Sequence, residues 1–145
     1  MDNEKGEQRG VCFPRVLGII FNTETKKILI GKKKDNEDVE NLTWAFPEGN
    51  AELEEELEEA IKRGVKEKTG LDIESMGVIF AKKYSDEKDL IGIYFLCGVV
   101  GGEEMANGDF SELKWVEPNE VENYFTSSFH PKLKEYIEGL TNHRI

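Results

Sequence analysis

The order of extended and helical segments predicts an α+β fold, a sandwich in which helices cover the faces of a central mixed β-sheet. Three observations carry this expectation. Runs rich in β-branched and aromatic residues recur at Val11–Phe21, Ile73–Tyr84 and Leu90–Val100. One strongly amphipathic stretch covers Glu54–Thr69. Pro118 and Pro131 stand where short C-terminal helices would open.

Each element follows from its residues. Val11–Phe21 reads as a strand, Asn22-Thr23-Glu24-Thr25 as a polar turn, and Lys27–Gly31 as the returning strand of a hairpin. The polar segment Lys32–Asn41 reads as a loop, and a short extended piece spans Thr43–Phe46 before Pro47. From Glu54 to Thr69, Leu57, Ala60, Ile61 and Val65 recur at spacings of three and four, which makes one apolar stripe on a helix. Acidic residues in the first turn and Lys62, Lys66 and Lys68 further on suit the two ends of the helix dipole. Gly70 stands at the C-cap. Ile73–Tyr84 and Leu90–Val100 are joined by the turn Ser85-Asp86-Glu87-Lys88, and a short strand, Leu113–Val116, follows a glycine-rich loop. Helices are expected from Pro118 to Tyr124 and from Pro131 to about Gly139.

A chain of 145 residues fits one domain, taken as 11–145 with a mobile tail over 1–10. Hydrophobic residues make up 38%, which argues against disorder, and no apolar run is long enough for a membrane span. The charged N-terminus does not read as a signal peptide, so the expected location is cytoplasmic. A net charge of −11 disfavours polymeric nucleic acid and anionic membranes as partners. A small phosphorylated ligand stays compatible where a bound cation offsets the charge locally. Cys12 and Cys97 read as buried thiols, and His130 and His143 lack metal-ligand spacing, with His130 placed at a helix entrance.

Gly49–Leu71 resembles the Nudix box, G-x5-E-x7-R-E-U-x-E-E-x-G-U with U aliphatic. Gly49, Glu55, Arg63, Val65, Glu67, Gly70 and Leu71 match seven of its nine positions at fixed register. Pro47 and Glu52, the upstream Ile28–Gly31 and Trp44-x-Phe46-Pro47, and the downstream Glu112–Val116 extend the similarity over about Val11–Phe125. The resemblance to this MutT-like family implies an α/β/α Nudix sandwich. It also implies hydrolysis of a nucleoside diphosphate-linked substrate, with Mg2+ or Mn2+ assisting water attack on phosphorus. In the pattern, glutamates equivalent to residues 64, 67 and 68 lie on one helix face and form a hard-cation site. This face reads Gly64, Glu67 and Lys68, so two acids are missing and one is replaced by a cation.

Two readings follow. In the first, the chain is a Nudix-type pyrophosphohydrolase with weakened activity, in which Glu67, Glu55 and Glu112 with the Gly49 carbonyl hold one metal, and Glu67, Glu55 or Glu112 acts as base. Glu103, Glu104 and Asp109 lie in the same downstream region as Glu112. In the second, the domain is non-catalytic and binds a nucleotide or a protein partner as a sensor; no metal is needed, and the Lys68 ammonium takes the vacated cation position, pairs with Glu67 and meets a phosphate directly. The resemblance gives Arg63, Glu52 and Gly70 structural roles in the box, and pairs Glu55 with Arg63 to hold the loop against the helix. Lys32 to Lys34 form either a phosphate contact or a solvated run, and the remaining acids of residues 54–59 a solvated helix face. Of the strand aromatics Trp44, Phe80, Tyr84, Tyr94 and Trp115, Trp44 is the one expected to face a ligand rather than the core. A homodimer is compatible with either reading.

Overall fold

A computed structural model of the chain describes residues 13–34, 44–83, 90–126 and 128–142. The tail 1–10, Cys12, Tyr84, the turn 85–88, most of the polar segment 32–41 and His143 lie outside the described residues.

Among the described residues seven strands form one mixed sheet: β1 (Phe13–Asn22), β2 (Lys27–Lys33), β3 (Trp44–Ala45), β4 (Glu48–Asn50), β5 (Leu71–Lys83), β6 (Leu90–Gly102) and β7 (Phe110–Val116). The main path runs β3-β2-β1-β6-β5, with β4 added to β1 and β7 to β2. β1 and β6 are parallel, and the other pairs are antiparallel. Helix α1 (Leu57–Thr69) and helix α2 (Pro131–Gly139) are accompanied by 3-10 turns at Pro118–Tyr124 and Leu140–Asn142.

Alternation along β1 divides the core into two layers. Val16 and Ile20 pack with Leu29, Phe95 and Cys97 against Ala60, Ile61 and Val65 of α1. Leu17, Ile19 and Phe21 point the other way and pack with Ile28, Ile30 and Phe46 against Leu133 and Ile137 of α2. Ile61 and Val65 are fully buried, and each contributes about 1.5–3 kcal/mol by leaving water. The stripe read from the sequence is therefore the face that docks α1 on the sheet.

Strand β2 runs on through Lys32 and Lys33, which read as loop in the sequence, and four further details differ from the sequence expectation. Helix α1 begins at Leu57 rather than Glu54, because Glu54 takes a left-handed backbone (φ 68°) and the Glu55 N–H donates to the Glu52 carbonyl. Glu48–Asn50, a stretch without β-branched residues, forms a strand because β1 supplies its hydrogen bonds. Strand β7 starts at Phe110, whose ring covers Gly31 on β2. The segment opened by Pro118 is a 3-10 turn rather than an α-helix.

Candidate functional site

The segment between β3 and α1 is held by one arginine. Arg63 on α1 forms a two-pronged pair with Glu55, its Nε donating to Oε2 at 3.0 Å and its Nη2 to Oε1 at 2.9 Å. Nη2 also donates to the Asn50 carbonyl at 2.7 Å. The Glu52 backbone N–H donates to Glu55 Oε1 at 2.9 Å, while the Glu52 carboxylate stays exposed, 4.0 Å from Arg63. The Arg63 hydrogen bonds, followed by that backbone N–H, hold the Glu55 carboxyl down at about 2 against an ordinary 4.5. Glu55 in turn pushes the Arg63 guanidinium above its ordinary value. Glu55 is thus an anchor for the loop, with three hydrogen bonds already on its carboxylate.

Glu67 lies one turn beyond Arg63, mostly exposed, with Oε2 3.6 Å from Arg63 Nη1. Lys68 turns inward. Its half-buried ammonium donates to the Glu48 carbonyl at 2.9 Å. Lys68 also does not pair with Glu67, and among the described residues no carboxylate lies within ion-pair distance of it.

Gly64 is a contact point between helix and strand. A Cβ there would stand 2.8 Å from the Glu48 oxygen, 2.9 Å from Gly49 Cα and 3.0 Å from the Glu48 carbonyl carbon. Reciprocally, a Cβ on Gly49 would meet the Ala60 carbonyl at 3.1 Å and Gly64 Cα at 3.2 Å. Two facing glycines let α1 touch β4 backbone to backbone, which accounts for a helix-interior glycine that propensity disfavours.

The C-terminal end of α1 is equally fixed. Gly70 caps it in a left-handed conformation (φ 76°), and a side chain there would run into the Glu103 carbonyl. The Met105 and Asn107 N–H groups donate to the Thr69 and Lys68 carbonyls at 2.8 and 3.0 Å. Buried Thr69 donates its hydroxyl to the Val65 carbonyl and accepts the Leu71 N–H. Glu104 accepts the Trp115 indole N–H at 3.0 Å, which binds Trp115 into this side of the sheet.

Glu112 is not brought to this face. The β2–β7 register sets it opposite Lys32, and alternation puts both on the side of Ile30, Lys114 and Val116, away from α1. The β2–β3 register sets Lys32 beside Trp44. Among the described residues no group of three or more His, Cys, Asp or Glu side chains is placed to hold a metal ion. Glu67, Glu55 and Glu112 therefore do not converge as one donor set. The residues present do not fit a divalent cation on α1: one exposed carboxylate is paired with an arginine, a second position has no room for a side chain, and the third carries an ammonium.

On the opposite face, a cleft of about 200 Å3 opens between the sheet and α2. Leu17, Phe80 and Tyr94 lie in one row across β1, β6 and β5 and make its floor. Trp44, Phe46, Phe125, Phe129 and His130 wall it. Trp44 meets Tyr124 edge-on at 5.7 Å, Phe46 packs on Phe125 at 4.9 Å, and the His130 ring is 5.0 Å from Phe80. His130 is the N-cap of α2; its Nδ1 accepts the Lys132 N–H at 3.1 Å. Trp44 thus faces a cavity, and so do Phe80 and Tyr94, which the sequence placed in the core. A flat aromatic group is what such a cleft can hold.

The NUDIX domain family matches residues 13–138, and the chain belongs to it. A MutT-like protein of Streptomyces ambofaciens is 24% identical over 88% of this chain and 79% of its own length. An ADP-ribose pyrophosphatase of Methanocaldococcus jannaschii is 34% identical over 73% of this chain and 62% of its own. The crystal structure of a MutT protein from Methanosarcina mazei superimposes with a TM-score of 0.70 at 21% identity, covering 92% of this chain and 96% of that one. A NUDIX hydrolase from Nitrosomonas europaea superimposes with a TM-score of 0.74 at 17% identity, covering 90% and 73%. Nudix hydrolases in general use divalent metals. Among the described residues no helix is long and apolar enough to cross a membrane.

Proposed function

We propose that this chain binds a small nucleotide-type ligand, a nucleoside diphosphate or a nucleoside diphosphate-linked compound, and that pyrophosphate cleavage on its box helix is severely weakened. The aromatic cleft would take the base, and the segment 44–50 would lead the phosphates toward α1. The observation that carries the weakened chemistry is the Lys68 ammonium on the Glu48 carbonyl beside a Gly64 with no room for a side chain. Metal activation and electrostatic stabilisation each supply several kcal/mol to such a reaction. Each ~1.4 kcal/mol is a factor of ten in rate, so losing most of the acid set lowers turnover by roughly three orders of magnitude or more. The relative named an ADP-ribose pyrophosphatase supports ADP-ribose as the first compound to try.

The test measures hydrolysis of ADP-ribose and a panel of nucleoside diphosphate-linked compounds with Mg2+ and with Mn2+, beside the Methanocaldococcus jannaschii enzyme. Turnover at least about a thousandfold below that enzyme, and unchanged by Glu67→Gln, is the expected result. Efficient wild-type turnover abolished by Glu67→Gln refutes the proposal.

A further inference from the structure

We infer that Lys68 serves as a built-in cation, so that this domain holds a diphosphate without a divalent metal. The inference rests on the ligand reading above and goes beyond it by assigning the phosphate contact and its metal independence. An ammonium carries three N–H donors and no acceptor. Lys68 spends one on the Glu48 carbonyl, at 2.9 Å, and among the described residues no carboxylate neutralises it. Among the described residues this half-buried cation, in a chain of net charge −11, meets only a main-chain oxygen, since the neighbouring helix acid is turned to Arg63, and it keeps N–H donors for an anion.

Two further observations aim that site at a ligand. Helix α1 is held against β4 by the Gly49–Gly64 contact, and the loop from Glu103 to Asn107 ties down its last turn. The Lys68 backbone is therefore fixed, and the ammonium is presented rather than waving in solvent. The same short segment that meets Lys68 at Glu48 lines the aromatic cleft at Trp44 and Phe46. Residues 44–50 thus connect the wall of the cleft to the carbonyl that the ammonium meets. The positive charge a Nudix enzyme takes from a metal ion is here part of the polypeptide.

The experiment compares wild type with Lys68→Gln, which keeps an N–H donor for the Glu48 carbonyl but removes the charge. Binding of ADP, GDP, CDP and UDP, and of the corresponding nucleosides, is measured by isothermal titration in EDTA and again in Mg2+. At least one diphosphate is expected to bind wild type with an affinity that changes less than about threefold between EDTA and Mg2+. Lys68→Gln should weaken that diphosphate about ten- to a hundredfold and leave the nucleoside and the melting temperature unchanged. Diphosphate binding that vanishes in EDTA overturns the inference, as does equal binding by Lys68→Gln; either leaves the ligand reading intact. A wild type that binds no nucleotide and no nucleoside overturns both.

Discussion

Replacing Gly64 by alanine probes the contact that shapes this site. Alanine inside a helix is favoured over glycine by about 1 kcal/mol, so helix propensity alone forecasts a more stable protein. The packing reverses the sign. The new Cβ would lie 2.8–3.0 Å from three atoms, the Glu48 oxygen, the Glu48 carbonyl carbon and Gly49 Cα. All are backbone atoms of a strand already hydrogen-bonded to β1, and none can rotate away. Overpacking a buried site costs about 1–3 kcal/mol, and three contacts with one rigid stretch of backbone put this one near the top of that range. Subtracting the helix gain leaves a loss of about 2 kcal/mol, or roughly 4–8 °C in Tm for a chain of this size. Thermal and urea unfolding followed by circular dichroism measure it, with Gly139→Ala as the reference, since no atom stands within 4 Å of a Cβ there. The reference should match wild type or gain up to about 1 kcal/mol. A Gly64→Ala protein as stable as wild type would refute the close approach of α1 to β4.

Two further outcomes are expected. Because the folded-state Glu55 carboxyl is lowered to about 2 from 4.5, its pairing contributes stability at neutral pH that drains away as pH falls from about 4.5 toward 2. Glu55→Gln should therefore flatten the acid limb of a melting-temperature profile over that window, and an unchanged limb would show that the Arg63 pair does not act on stability. Burial pushes the Cys97 thiol up to about 12, and its Sγ lies 3.7 Å from the Phe95 carbonyl. Cys97 should then resist alkylation in the native protein at pH 8 and react only on unfolding, read by mass spectrometry of peptides containing it; rapid native labelling would contradict its burial.

The sheet, the box helix and the layer order were readable because each rests on a local rule. Leu57, Ala60, Ile61 and Val65 repeat at helical spacing, and β1 alternates between two cores. The site was readable only in part. Gly64 stood out as an anomaly, yet its reason lies in the backbone of residues 48 and 49, which no helical wheel displays. Lys68 could be assigned to the vacated position, but its partner proved to be a main-chain oxygen, which has no letter in the sequence. Glu112 was grouped with Glu67 by its place downstream, whereas strand parity turns it to the far face. The cleft was hidden because its floor, Leu17, Tyr94 and Phe80, is gathered from three strands by register.

The facing glycines also set a direction for change. To recover the acid that the box pattern carries at position 64, the chain would have to accept a three-carbon side chain with its carboxylate where a single carbon already collides with main chain. The helix would first have to lift off β4, giving up the seat against which Ala60 and the Arg63–Asn50 hydrogen bond are arranged. Loss of the acid can occur in one small step, while its return requires the scaffold to move before the chemistry can improve.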